Sequence, residues 1–181
     1  MNQIVRFNNR NSVYLKAEAK KPRFIKSDSV KLLEEMATDE AKRLHPNTPE
    51  RYIARREFSD KTANGLTTCI IQFIRLMGGQ AERINSTGRR IDTRQTFEDV
   101  CGRSRTIGGS HWIKGNGTNG TADISATIAG RSVKIEVKFG RDRQSQTQKD
   151  YQQSVEVAGG LYVIATSFQQ FYSWYNQTFK P

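Results

Sequence analysis

The sequence predicts an α/β fold in which an antiparallel meander is joined by one parallel strand, and three observations predict it. Residues 121–128 and 131–139 alternate apolar and polar side chains around an Ala129, Gly130 turn, the period-two signature of a half-buried hairpin. Upstream, Leu66, Cys69, Ile70, Phe73, Ile74 and Met77 recur at helical spacing, and Gly78 and Gly79 close that run. Downstream, a helix capped by Ser145 ends at Gly159 and Gly160 before an apolar run at 161–166. Such a helix-then-strand pair is a crossover that returns to the sheet in parallel. The core order is therefore helix, three strands, helix, strand.

The other elements follow in chain order. Residues 1–26, with Lys16, Lys20, Lys21, Arg23 and Lys26 close together, predict a basic, mobile arm with a short strand at 12–16. A helical extension fills 27–59. Val30, Leu33, Met36, Ala37 and Leu44 space a helix over 29–44, with Asp28 or Ser29 as cap and Pro46 as stop. Thr48, Pro49 and Glu50 predict a second helix start, with Pro at its first position, carrying Tyr52 and Ile53. The core domain is expected over 60–181. After its first helix comes a strand at 80–86, then a stretch from Gly88 to Gly120 rich in Gly, Arg, Ser, Thr and Asn. It reads as a long functional loop with one short helix at 96–100. Phe168, Phe171, Trp174 and Tyr175 place a last helix at 168–175, its aromatics spaced for core packing rather than base stacking.

Composition sets the partner class. The 181 residues hold 29 Lys and Arg against 18 Asp and Glu, a formal charge of +11. An excess of that size concentrates a polyanion near the surface, so nucleic acid is the expected partner. Cys69 and Cys101 form neither a disulfide framework nor a metal-ligand spacing, and Cys69 falls in an apolar helical run. No apolar stretch has the length of a signal core or a membrane span, which leaves a cytoplasmic protein without a membrane partner as the expectation.

The hairpin register locates the chemistry. With Ala129 and Gly130 at the turn, Ile124 faces Ile135, Ala122 faces Val137, and Asp123 faces Glu136. Two carboxylates then stand about 5 Å apart at Cβ, with Lys138 two residues beyond on the same face. Such a pair is destabilising unless lysines or a divalent cation neutralise it. Hard oxygen ligands suit Mg²⁺, with Mn²⁺ as substitute, and a cation so held polarises a phosphate and acidifies bound water. Lys138 can orient or deprotonate that water. An exposed strand pair with ordinary mixed charge would carry the same residues.

Gly120, Thr121, Ala122, Asp123 and Ile124, followed after the hairpin by Ile135, Glu136, Val137 and Lys138, resemble the signature of the PD-(D/E)xK nuclease superfamily. Ser145, Gln148 and Tyr151, then Gly159, Gly160 and an apolar strand, resemble its VRR-NUC and Holliday-junction-resolvase branch, found in phages and mobile elements. The resemblance covers residues 60–175 and implies a restriction-endonuclease-like core. It implies that Asp123, Glu136 and the Val137 carbonyl bind Mg²⁺, that Lys138 serves the attacking water, and that Gln148 supports the site. The activity implied is a metal-dependent endodeoxyribonuclease, acting on branched or structured DNA. Junction cutting would call for a homodimer. Two departures stand out: Ala122 replaces the Pro of the family name, and Lys61, Thr62, Ala63, Asn64 and Gly65 supply no acid where many members carry a Glu. Asn64 is at best a weaker substitute.

Gln148 also has a plain reading, since Ser145 with Gln148 three residues on is a capping box; Gln152, one turn later, either reaches the same area or faces solvent. Arg89, Arg90, Arg103, Arg105, Lys134 and Arg141 are the candidate phosphate contacts, with ordinary solvated charge as the alternative. His45 and His111 are not expected to act. The rivals to a DNA endonuclease are an RNA-cutting or restriction-type relative, a decayed nuclease fold that only binds nucleic acid, and a basic structural protein.

Overall fold

In the computed structural model, which describes residues 24–85, 88–113, 115 and 117–180, the chain is a mixed α/β protein. The expected strand at 12–16 and the basic cluster up to Arg23 lie outside the described residues. Helix α1 (Asp28–Leu44) is capped by Ser27, whose Oγ accepts from the Val30 N–H at 3.4 Å, rather than by Asp28 or Ser29. That position leaves Asp28 in the first turn, where its charge meets the helix dipole favourably. The second expected helix is a single 3₁₀ turn (Glu50–Tyr52). It buries no residue, and without an apolar stripe nothing offsets the cost of extending it.

Helix α2 (Ala63–Leu76) buries Leu66, Cys69, Ile70, Phe73 and Ile74 and ends where Gly78 takes φ 80°. Strand β1 (Gln80–Arg83) follows and is shorter than expected. The loop expected from Gly88 is instead mostly a hairpin, made of β2 (Arg89–Asp92), β3 (Gln95–Glu98), β4 (Ser104–Ile107) and β5 (Ser110–Ile113). The expected short helix at 96–100 is β3 and its turn. Thr96 and Phe97, residues that favour strands, pair across to Thr106 and Arg105.

Strands β6 (Ile124–Ile128) and β7 (Arg131–Val137) pair antiparallel in the expected register, with Ile124 facing Ile135 and Ala126 facing Val133. Ala129 and Gly130 turn with φ 47° and 75°. Helix α3 (Gln146–Val157) and strand β8 (Leu161–Ala165) complete the crossover, β8 running parallel to β7. The four-stranded sheet has the order β1, β6, β7, β8. Helix α4 (Phe168–Phe179) runs a turn beyond the expectation.

One face of the sheet carries the core. Ile124, Ala126, Ile128, Val133, Ile135 and Val163 pack with Leu66, Ile70 and Phe73 of α2 and Phe168, Phe171 and Tyr175 of α4. Phe73 meets four aromatic rings of α4 edge-on, with centroids 4.9 to 6.3 Å away. Val30 and Leu33 bring α1 into the same cluster, and Glu34 of α1 holds the Phe58 N–H at 2.7 Å. Among the described residues no helix is long and apolar enough to cross a membrane.

Candidate functional site

The opposite face of the sheet is closed at one end, where the N-terminus of β6, the C-terminus of β7 and the first turn of α3 meet. Glu136 on β7 and Lys138 just past its end alternate with Val137 and so point away from the apolar core. They are nonetheless 2% and 7% exposed, so this end is buried on both faces. Asp123 precedes β6 and is half-buried. Its Oδ2 accepts from the Val137 N–H at 2.9 Å, while its carbonyl accepts from the Ile84 N–H at 2.8 Å. Those two bonds, one to its side chain and one to its backbone, hold Asp123 between the end of β1 and β7.

Glycine permits the closure. Gly120 has φ 78°, and a Cβ there would lie 2.3 Å from the Thr147 carbonyl oxygen and 2.9 Å from the Gln148 nitrogen. Only a residue without a side chain lets the first turn of α3 settle this close to the start of β6. Ser145 caps that turn, and Gln148 returns its Oε1 to the Ser145 N–H at 2.9 Å, a complete capping box. The same Oε1 accepts from Lys138 Nζ at 3.1 Å, and Gln148 Nε2 donates to Glu136 Oε1 at 2.5 Å. Gln148 therefore completes the capping box and also bonds the Glu136 and Lys138 side chains. One amide ends the helix correctly and fixes two charged side chains.

Electrostatics follow from the burial. Lys138 Nζ lies 3.0 Å from Glu136 Oε1 and 3.3 Å from Asp142 Oδ2. Burial pushes the Glu136 carboxyl above its ordinary range; the Lys138 bond pulls it back, and the Asp123 charge adds to the rise. For Lys138 burial acts downward, but the Glu136 and Asp142 carboxylates outweigh it and hold the ammonium above its usual value. Lys138 is thus a fixed cation at neutral pH, suited to orienting water or offsetting phosphate charge rather than to taking up a proton. Tyr162 on β8 donates to Glu136 Oε2 at 3.5 Å, the long end of a hydrogen bond. Burial first, then the Glu136 charge, lift its phenol well above the ordinary range.

Asp123, Glu136, Val137, Lys138 and Gln148 are therefore brought together. Lys134 shares their face two residues back on β7, half-buried, with Nζ on Ser125 Oγ at 2.6 Å. Arg141 lies exposed in the turn after β7. Arg89, Arg90 and Arg105 belong to the hairpin of β2 to β5, and Arg103 to its tip, not to the sheet that holds the carboxylates. Asn64 is exposed at the first turn of α2, its carbonyl accepting from Thr68. Gln152 bonds Gln144 and Glu156 rather than Asp123 or Glu136.

Tyr162 and Asp142 belong to the site and were not singled out by sequence, whereas Gly120 opens the signature run that was. Tyr162 becomes visible only through the β7–β8 register, which sets it beside Lys134. Gly120 carries a weak signal, a glycine three residues before the Asp. Asp142, in an irregular turn, carries none.

Among the described residues no group of three or more His, Cys, Asp or Glu gathers around a metal position. The oxygen ligands available there are the Asp123 and Glu136 carboxylates; the Val137 group that meets them is its N–H, bonded to Asp123 Oδ2. A cation held by two carboxylates would have to be one that keeps several of its own waters, as Mg²⁺ does. No protein-family model matches the chain, and no curated protein matches it.

Proposed function

We propose that the chain is a Mg²⁺-dependent endonuclease that hydrolyses DNA phosphodiester bonds, of the PD-(D/E)xK kind. The observation that carries this reading is the burial of Glu136 and Lys138 against Gln148, with Asp123 beside them, at one end of the sheet of a strongly basic protein. Burying an ion pair away from the core is costly and adds little to stability by itself. A helix, three antiparallel strands, a helix and a parallel strand is also the order expected of a restriction-endonuclease-like core.

In this reading Asp123, Glu136 and the Val137 carbonyl hold the cation, with Mn²⁺ as substitute. When bound, the cation polarises the scissile phosphate and lowers the pKa of attached water. Lys138 orients the attacking water and offsets the charge that builds on the phosphate. Gln148 fixes Lys138 relative to Glu136, so the pair is positioned before substrate arrives. Branched or structured DNA is the substrate that the resolvase-like resemblance favours, with a homodimer as the cutting unit.

A second reading is a decayed nuclease fold that binds nucleic acid without cutting. The exposed Asn64 on α2, where an acid would add a ligand, favours it. One gel separates the two: duplex, junction, flap, single-stranded DNA and RNA incubated with Mg²⁺, Mn²⁺ or EDTA. Wild type should cut with metal, and Glu136→Gln, which keeps the shape of the site, should cut at least about a thousandfold more slowly, a loss of about 4 kcal/mol of transition-state stabilisation. Undiminished cutting by Glu136→Gln removes the site assignment. Binding of every substrate without cutting, equal in EDTA, selects the decayed fold.

A further inference from the structure

The hairpin between β1 and β6 is one continuous ribbon. Asp92 faces Ser110 in its lower half and Gln95 faces Ile107 in its upper half, three residues further along each strand, so no register slip separates them. Between them the Thr93 N–H donates to the Gly109 carbonyl at 2.9 Å, and Gly108, with φ 89°, passes against the Thr93 carbonyl. From Arg89 to Glu98 the ribbon reaches on the order of 30 Å, at about 3.3 Å per residue.

Its setting relates it to the site. The chain enters the ribbon from β1, whose following residue Ile84 is bonded to Asp123, and returns from Ile113 towards Asp123. The root is tight: at Gly88 a Cβ would lie 2.3 Å from the Ile113 carbonyl and 2.5 Å from the Trp112 indole nitrogen. Beyond the root both faces are open. Every residue of β3 and β4 is exposed, including Phe97 at 45% and Ile107 at 56%.

The charges are unequal. Asp92 is taken by Arg94, and Asp99 in the tip turn by Arg105 and by the Cys101 and Arg103 N–H groups, while Glu98 on β3 enters no ion pair among the described residues. Arg89, Arg90 and Arg103 enter no ion pair among the described residues, and Arg90 only donates to Ser110. Thr96, Ser104, Thr106 and Ser110 add hydroxyls between them. A two-stranded ribbon of this kind fits the B-form major groove, about 12 Å wide, and not the deep, narrow groove of A-form RNA.

The geometry points to the ribbon as a duplex-DNA arm that lies in the major groove, with Arg89 and Arg90 near its root and Arg103 at its tip as the phosphate contacts. The inference rests on the nuclease reading for its purpose, but its test does not. A labelled 30-base-pair DNA duplex is titrated with the full chain in EDTA by fluorescence anisotropy, at several salt concentrations. Arg89→Ala/Arg90→Ala/Arg103→Ala should bind about tenfold more weakly, with a log–log salt slope shallower by about three. The matching triple Lys variant should recover most of that loss, which separates lost charge from lost folding. Duplex RNA of equal length should compete poorly.

Duplex affinity and salt slope unchanged in the Ala triple would overturn the arm. So would equal competition by duplex RNA, or conversion of a wild-type dimer to monomer by the Ala triple, because the ribbon would then serve a second copy. A chain that cuts nothing while the Ala triple still loses duplex binding keeps the arm and removes the nuclease reading.

Discussion

Two hairpins dominate this molecule, and they share a hydrogen-bonding pattern but little else. The one formed by β6 and β7 buries Ile124, Ala126, Ile128, Val133 and Ile135 on one face and Glu136 at the far end of the other. The one formed by β2 to β5 leaves nearly every side chain in water. In the first, tertiary packing dictates which residue stands where, and a one-residue slip would turn the whole apolar set outward. In the second, backbone pairing and turn chemistry hold the strands, while the side chains are left for contact with something else. A buried hairpin is specified by its own protein; an exposed one is specified by its turns and root.

Truncation should expose that difference most sharply. Ile135 is fully buried in the core, so Ile135→Ala should cost about 3–4 kcal/mol and lower the melting temperature by roughly 10 °C. Ile107 is 56% exposed in the ribbon, and Ile107→Ala should stay within about 0.5 kcal/mol. Calorimetry on the two variants measures both. A comparable loss from Ile107→Ala would mean that the ribbon packs against the body or another chain, and the contrast would fail.

The same contrast explains what the sequence disclosed. Alternation around Ala129 and Gly130 set the β6–β7 register, and the apolar stripe set α2, because one face of each is buried and burial imposes a period. Asp123, Glu136 and Lys138 were legible for that reason: they occupy the other phase of the same alternation. The ribbon has no buried face, hence no period, and its Gly, Arg, Ser and Thr composition resembles a loop. Residues 96–100 were misread as helix on that account. Tyr162 and Asp142 were illegible for a different reason, since their place depends on β8 lying beside β7 and on the path of a turn. Gln148 shows the limit of local motifs: the capping box was visible, but its second set of bonds exists only once α3 lies on the sheet.

Charge should sharpen the comparison next. Lys138→Ala leaves Glu136 buried beside Asp123 without its cation, and breaking such a pair costs about 3 kcal/mol. The double variant Lys138→Met/Glu136→Gln removes both charges and should recover most of that loss. At the ribbon tip Arg105→Ala breaks the 2.8 Å pair with Asp99, but Arg105 is 61% exposed and the loss should stay below about 1 kcal/mol. Urea titration of the four proteins tests the ordering. If the double variant is no more stable than Lys138→Ala, the cost comes from lost packing of the lysine stem and not from an uncompensated carboxylate.

The smallest effect is a difference of sign. The Asp99 carboxyl is held below its ordinary range by Arg105, helped by the Arg103 and Cys101 N–H groups. Its contribution to stability is present above the unfolded carboxylate pKa and is lost as pH falls through the lower, folded value. Glu136 is displaced the other way, because burial and Asp123 together outweigh Lys138 and Tyr162. Its folded state holds the proton more tightly than the unfolded chain, so that contribution is complete below the unfolded value and is lost as pH rises through the folded one. In metal-free protein, carboxyl carbon chemical shifts followed from pH 2 to 8 should therefore show Asp99 titrating below, and Glu136 above, their ordinary values of about 3.9 and 4.3. Glu136→Gln should flatten the fall in stability above that range and leave the acid limb unchanged, whereas Asp99→Asn should do the reverse. Coincident titration of the two carboxyls would mean that water reaches Glu136 as freely as it reaches the ribbon tip, and the buried site would lose its distinction from the exposed arm.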